Sequence, residues 1–159
     1  MTRSIGSILP TVLVEFLDGE RLETKVGDAI HCITVSDDGW PYLALISVGE
    51  LLATAPSKMR LAVWSTSTTA KNLDRDGRCA LALVHAEISY VIRCLTSPSG
   101  SIDQLDGLPL SVFDLAVVDV LEDVAPYATL TSGVTYELHD QATVVARWKW
   151  TIGLLRPGL

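Results

Sequence analysis

The stretch Leu61–Leu83, LAVWSTSTTAKNLDRDGRCALAL, decides the fold. It reads as strand, hydroxyl-rich turn, short helix, turn and strand. Five hydroxyl residues in a row, Ser65, Thr66, Ser67, Thr68 and Thr69, stand at the first junction, and Lys71 and Asn72 follow within a helical turn. The first N–H groups of a helix have no internal partner, and the helix dipole favours negative charge there, so such a junction can hold an anion. Hydroxyls and N–H groups would then surround a phosphate, with Lys71 adding charge. The same residues also read as an ordinary helix start with Ser67 or Thr68 as N-cap. Pattern alone leaves both open.

Upstream, Ala29–Val35 is rich in Ile, Thr and Val and reads as a strand. Ser36, Asp37, Asp38 and Gly39 follow, and Asp-Gly between two apolar runs predicts a hairpin with positive φ at the turn. The next strand, Tyr42–Val48, is apolar on both faces, which suits a barrel wall covered by a helix, a loop or another subunit. Gly49–Met59 is expected to be a connection and Arg60–Trp64 a third strand. Downstream, Arg78–Ala86 and Ile88–Leu95 read as two strands joined by a tight hairpin or as one long bent strand. Thr96–Pro109, rich in Ser, Gly, Asp and Pro, is expected to be an exposed loop. Leu115–Val124 alternates as a strand, with Ala116, Val118 and Val120 on one face.

Helices are predicted near both ends. Pro10–Leu17 places Leu9, Leu13, Phe16 and Leu17 on one side. Asp140 is a suitable N-cap for a last helix to about Arg156, with Val145, Trp148, Ile152 and Leu155 as its apolar stripe. Trp150 falls off that stripe and calls for a covering partner. Six strands in hairpin order, with one helix inserted after the third, predict a mainly β chain: an antiparallel barrel with peripheral helices. A dinucleotide-binding α/β fold is disfavoured, because helices do not alternate with strands and GxGxxG is absent. One domain is expected over residues 1–159: a helix at about 9–18, the barrel at about 28–125 and a helix at about 140–156.

Bulk properties narrow the function. The 159 residues carry a formal net charge of −7, which disfavours a broad nucleic-acid surface. Apolar residues make up 48% and charged residues 19%, the balance of a globular chain. No run approaches the ~18 uncharged apolar residues of a membrane helix. A cytoplasmic location is expected. Cys32, Cys79 and Cys94 lie in apolar runs without CxxC spacing and read as buried thiols. His31, His85 and His139 are scattered, so no metal-binding motif is assigned. Asp114, Asp119, Glu122 and Asp123 read as a solvated strand edge, and no GxSxG turn supports a nucleophile. No catalytic residue is named.

The order of parts resembles the pyridoxamine 5′-phosphate oxidase-like, FMN-binding split-barrel superfamily. The resemblance is carried by ITVSDDGWPYLALIS (33–47) and RLAVWSTSTTAKNLDRDGRCALALV (60–84), and more loosely by AVVDVLEDVAPYA (116–128). It implies a six-stranded split barrel, a homodimer, and FMN at the subunit interface with its phosphate near the helix start. It also implies a flavin-dependent oxidoreductase of unidentified substrate. A flavin- or haem-binding sensor or storage barrel and a deazaflavin-dependent reductase are the alternatives on the same frame.

Matched residue by residue, Ser65 takes the strand-end hydroxyl, Ser67 the motif serine, and Asn72 with Leu73 the N-L pair. Leu43–Ser47, including Leu45 and Ser47, matches the strand that borders the flavin ring, and Trp64 stands where it can pack by a planar ligand. The motif lysine falls on Thr69, and Lys71 lies two residues later, about 200° round the helix. Phosphate affinity would then be reduced, supplied by the Thr68 and Thr69 hydroxyls, or rebuilt by Lys71 or a partner's arginine; Thr66 belongs to the same hydroxyl run.

Overall fold

Alternating apolar residues and tight turns build a single antiparallel sheet. A computed structural model describes residues 1–104 and 107–158. The strands are β1 (Thr2–Ser4), β2 (Ile30–Val35), β3 (Pro41–Ile46), β4 (Leu51–Ala55), β5 (Lys58–Trp64), β6 (Arg78–His85), β7 (Ile88–Ile102) and β8 (Leu110–Asp123). The helices are α1 (Thr11–Phe16), α2 (Thr68–Asp76) and α3 (Gln141–Leu155). The hydrogen-bonded order is β3-β2-β6-β7-β8-β5-β4, with β1 added to β8. The path is thus open: β3 and β4 are its two ends, although only a short turn separates them in sequence. That gap is the split in the barrel.

Among the described residues, eight strands replace the six expected. β4 falls within the stretch expected to be a connection. Its five residues are bounded by Gly49 and by the Pro56-Ser57 turn, which hid a strand that pairs Leu51 with Leu61 and Ala53 with Met59. β1 is only three residues long and exposed, and it pairs Arg3 with Glu122.

The expected loop Thr96–Pro109 also changes. Residues 96–102 continue β7 along β8, through Thr96↔Leu115 and Ile102↔Leu110. Beyond Leu95 the neighbouring β6 has ended, so Pro98 sits on an edge where it removes no needed donor. A register shift between Pro98 and Ser101 absorbs Gly100 at φ +111°. Residues 105 and 106 of that loop lie outside the described residues, as does residue 159.

Two turns are resolved in detail. The β2–β3 loop spans residues 36–40, and Gly39 (φ +85°) supplies the positive φ expected at the turn. The β6–β7 connection is a two-residue hairpin with Ala86 (φ +49°) and Glu87 (φ +65°) both left-handed, closing His85 onto Ile88.

Strict alternation in β8 fails at Val118. The register jumps from Arg93↔Asp119 to Cys94↔Val117, so Val118 is the extra residue and turns outward. Leu115, Val117 and Val120 then all point into the core. That core also holds Leu61, Leu81, Tyr90, Ile92 and Phe113. Cys32, Cys79 and Cys94 are buried and free. No helix among the described residues is long and apolar enough to cross a membrane.

Candidate functional site

The hydroxyl-rich junction after Trp64 forms as strand, turn and helix. Ser67, in extended conformation, is the N-cap of α2, and its Oγ accepts the Ala70 N–H at 3.1 Å. Gly77 (φ +73°) closes the helix, its N–H bonded to the Leu73 carbonyl. Among the described residues, the N–H groups of Thr68 and Thr69 have no protein acceptor. Two donors therefore remain free at this end.

α2 is held by its inward face, which buries Thr69, Ala70, Asn72 and Leu73. Asn72 Nδ2 donates to Thr34 Oγ1 of β2 at 2.9 Å, and Arg75 donates both to Asn72 Oδ1 and to the Val35 carbonyl. Asn72 thus anchors the helix to the sheet.

Beside this helix start, a cleft of about 310 Å³ is walled by β3, by the end of β5 with Ala62, Val63 and Trp64, and by α3. β3 contributes Tyr42, Ala44, Leu45 and Ile46, and the following turn contributes Gly49 and Glu50. Trp64 closes one end with Ser67 and Thr69. The fourth side is α3, through Arg147, Trp148 and Thr151. α3 is docked by its predicted stripe and tied down at its end, where the Leu155 carbonyl accepts from Arg60 Nη1 at 3.1 Å. Gly49 lets Trp148 lie directly on the turn backbone: a Cβ there would stand 2.0 Å from Trp148 Cγ.

Of the ten residues expected at a cofactor site, Leu45, Trp64, Ser67 and Thr69 line this cleft. The other six lie outside its lining. Ser65 is half-buried and accepts from Ser111 Oγ at 2.9 Å. Thr66, Thr68 and Lys71 are exposed, and Asn72 is consumed in anchoring. Ser47 is buried and serves its own turn: its Oγ donates to Glu50 Oε1 at 3.3 Å, and its N–H donates to Oε2 at 3.4 Å.

Sequence reasoning did not find Glu50 or Arg147, the two charged residues on the described cleft wall. Glu50 is the one acidic residue in the run Tyr42–Met59, whose other charge is Lys58, and that isolation was the available signal. Burial pushes its carboxyl up to about 7, while Ser47 and Arg147 pull the other way. Burial prevails because both Ser47 bonds are long. His85 lies elsewhere, its ring stacked on Phe16 at 4.5 Å between centroids, and burial lowers its pKa.

An outer apolar face accompanies the cleft. Leu43 and Leu45 on edge strand β3 are 51% and 55% exposed, and Leu95 and Val118 are similarly bare. Ile33, Ala80, Leu95 and Val118 floor a groove of about 370 Å³, with Arg78 and Arg93 also lining it.

No protein-family model matches the chain. The uncharacterized protein YclD of Bacillus subtilis (strain 168) is 36% identical over 140 residues, covering 88% of this chain and 90% of its own. Two solved structures share the fold. A Lactobacillus delbrueckii protein proposed to be a pyridoxamine 5′-phosphate oxidase aligns with TM-score 0.58 and 14% identity, over 74% of this chain and 98% of its own. HupZ from Group A Streptococcus aligns with TM-score 0.54 and 13% identity, over 81% of this chain and all of its own. These likenesses show the split-barrel fold, and the identity to YclD places the chain in that protein's family.

Proposed function

Because the chain belongs to the family of Bacillus subtilis YclD and is a split barrel, we propose that it is a homodimeric, cytoplasmic FMN-binding protein acting as a flavin-dependent oxidoreductase on a small molecule. The observation that carries this reading is the cleft itself. It brings Ser67 and Thr69 at the helix start together with a cation, Arg147, and with the indoles of Trp64 and Trp148. An anionic end and a flat aromatic body are what such a site would take. Arg147 offers the positive charge that Thr69 lacks. Haem is less suited, since no histidine, cysteine or methionine stands on the described wall to ligate iron. Bound flavin would supply the hydride or electron chemistry, and the protein would supply orientation and shielding from water.

The phosphate end is tested by Ser67→Ala combined with Thr69→Ala. Two lost hydrogen bonds, each worth about 1 kcal/mol, predict roughly tenfold to thirtyfold weaker FMN binding by fluorescence titration. Stability is measured alongside, because losing the Ser67 cap alone costs about 1 kcal/mol. An unchanged dissociation constant would place the phosphate elsewhere. A protein that takes up no FMN, while binding a deazaflavin in a parallel titration, would replace the cofactor assignment. Oxidation of a reduced nicotinamide by the FMN-loaded protein would support an enzyme over a store.

The dimer is tested on the outer face. Its bare leucines leave an apolar edge strand that single proteins ordinarily blunt with charge. Leu43→Glu puts a carboxylate on that face at its edge strand and is expected to convert a dimer to a monomer at micromolar concentration by light scattering. A variant that remains fully dimeric would exclude this face from the interface.

A further inference from the structure

Glu50 occupies an unusual position on the cleft wall. Its carboxyl is crowded by protein while the residue keeps partial contact with the open space. The Ser47 N–H and hydroxyl reach it only at 3.4 and 3.3 Å, so its negative charge is poorly met. The groups that bear on it come from three elements. Arg147 of α3 favours the charged form. The Cys32 thiol of β2 and the Tyr136 phenol beyond β8 are both raised, partly by Glu50 itself, and stay neutral near pH 7. Neither competes with Glu50 for a proton there. β5 and α2 present no charged side chain to this wall, only Ala62, Val63, Trp64, Ser67 and Thr69.

We propose that Glu50 is the proton-exchange residue of the cleft: its carboxyl takes up a proton as a flat anionic ligand enters and returns it as the ligand leaves. Three effects act in the same direction. A planar body covering the wall expels the remaining water from beside the carboxyl, which favours its neutral form. The ligand's own anion adds like charge nearby. Arg147, the cation that steadies ionised Glu50, is drawn to that anion instead. Once neutral, Glu50 becomes a donor facing the ligand, able to hydrogen-bond a ring nitrogen or carbonyl oxygen. The proposal takes its ligand, FMN, from the flavin assignment above.

The test is calorimetric titration of FMN into the whole protein at pH 7.5, in phosphate and in Tris, whose ionisation enthalpies differ. Wild type is expected to take up as much as about three quarters of a proton per site, the share of Glu50 still ionised at that pH. Glu50→Gln is expected to bind FMN with that uptake abolished. Any exchange at the FMN phosphate itself is common to both proteins and cancels in their difference. Binding without proton uptake in wild type, or with equal uptake in Glu50→Gln, overturns the role of Glu50 and leaves the flavin assignment standing. Absence of FMN binding in wild type overturns both.

Discussion

Gly49→Ala is expected to destabilise the protein by about 3 kcal/mol, a fall of roughly 6–12 °C in Tm for a domain of this length. The new methyl group would lie 2.0 Å from Trp148 Cγ, with Cδ1 and Cδ2 at 2.2 and 2.4 Å. Cγ is the root of the indole, not the free end of a flexible chain, so no rotation of the ring clears it. Trp148 is 5% exposed and lies on the stripe by which α3 docks. The helix must therefore lift or the β3–β4 turn must shift, and either breaks the cleft wall. Thermal unfolding followed by near-UV circular dichroism measures the loss. Trp148→Ala alone should cost about 3–5 kcal/mol. Added to Gly49→Ala, it should cost clearly less, because the methyl then has space. A Gly49→Ala variant within 0.5 kcal/mol of wild type, or simple additivity of the pair, would show that the indole does not depend on this glycine.

That contact also marks where the sequence stopped being readable. The strand, hydroxyl turn and helix around Ser67 were legible because capping and alternation are local, and Ser67, Gly77 and Leu73 sit in them as their chemistry requires. The stripe of α3 was legible for the same reason. β4 was not, since a five-residue strand within the six residues between Gly49 and Pro56 carries too short a pattern to separate strand from loop. The outward turn of Val118 depends on a register shift against Arg93 and Cys94, which no property of β8 by itself encodes.

The site divides in the same way. Leu45, Trp64, Ser67 and Thr69 were named from two short segments, 33–47 and 60–84, and all four line one cleft. Ser47 and Asn72 belong to the same segments, yet their polar atoms are spent on Glu50 and on Thr34. Which hydroxyl stays available is a matter of tertiary partners. Arg147 lies 78 positions beyond Thr69, and only the docking of α3 makes them neighbours on one wall. The outer leucines of β3 were visible as an apolar face, and the fold leaves that face bare.

Glu50→Gln is expected to change how stability depends on pH more than any other single substitution in the cleft. The ordinary carboxyl value of 4.5 applies to the unfolded chain, and burial raises the folded value to about 7. The folded chain therefore holds more protons than the unfolded chain between these values, so stability falls as pH rises through that window. The full cost is present above pH 7 and amounts to about 3 kcal/mol. His85 acts in the opposite sense. Burial lowers its pKa below 6.5, so its contribution is present at higher pH and is lost as pH falls. Wild type alone would report the two together, whereas the difference between wild type and Glu50→Gln isolates the carboxyl. Urea unfolding at pH 5, 6, 7 and 8 should give nearly equal stabilities at pH 5. By pH 8 the glutamine variant should lead by about 2–3 kcal/mol, because a neutral amide of the same shape has no charge to desolvate. Parallel curves across the whole range would mean that the Glu50 carboxyl titrates as it does in the unfolded chain, and that water or Arg147 meets its charge in full.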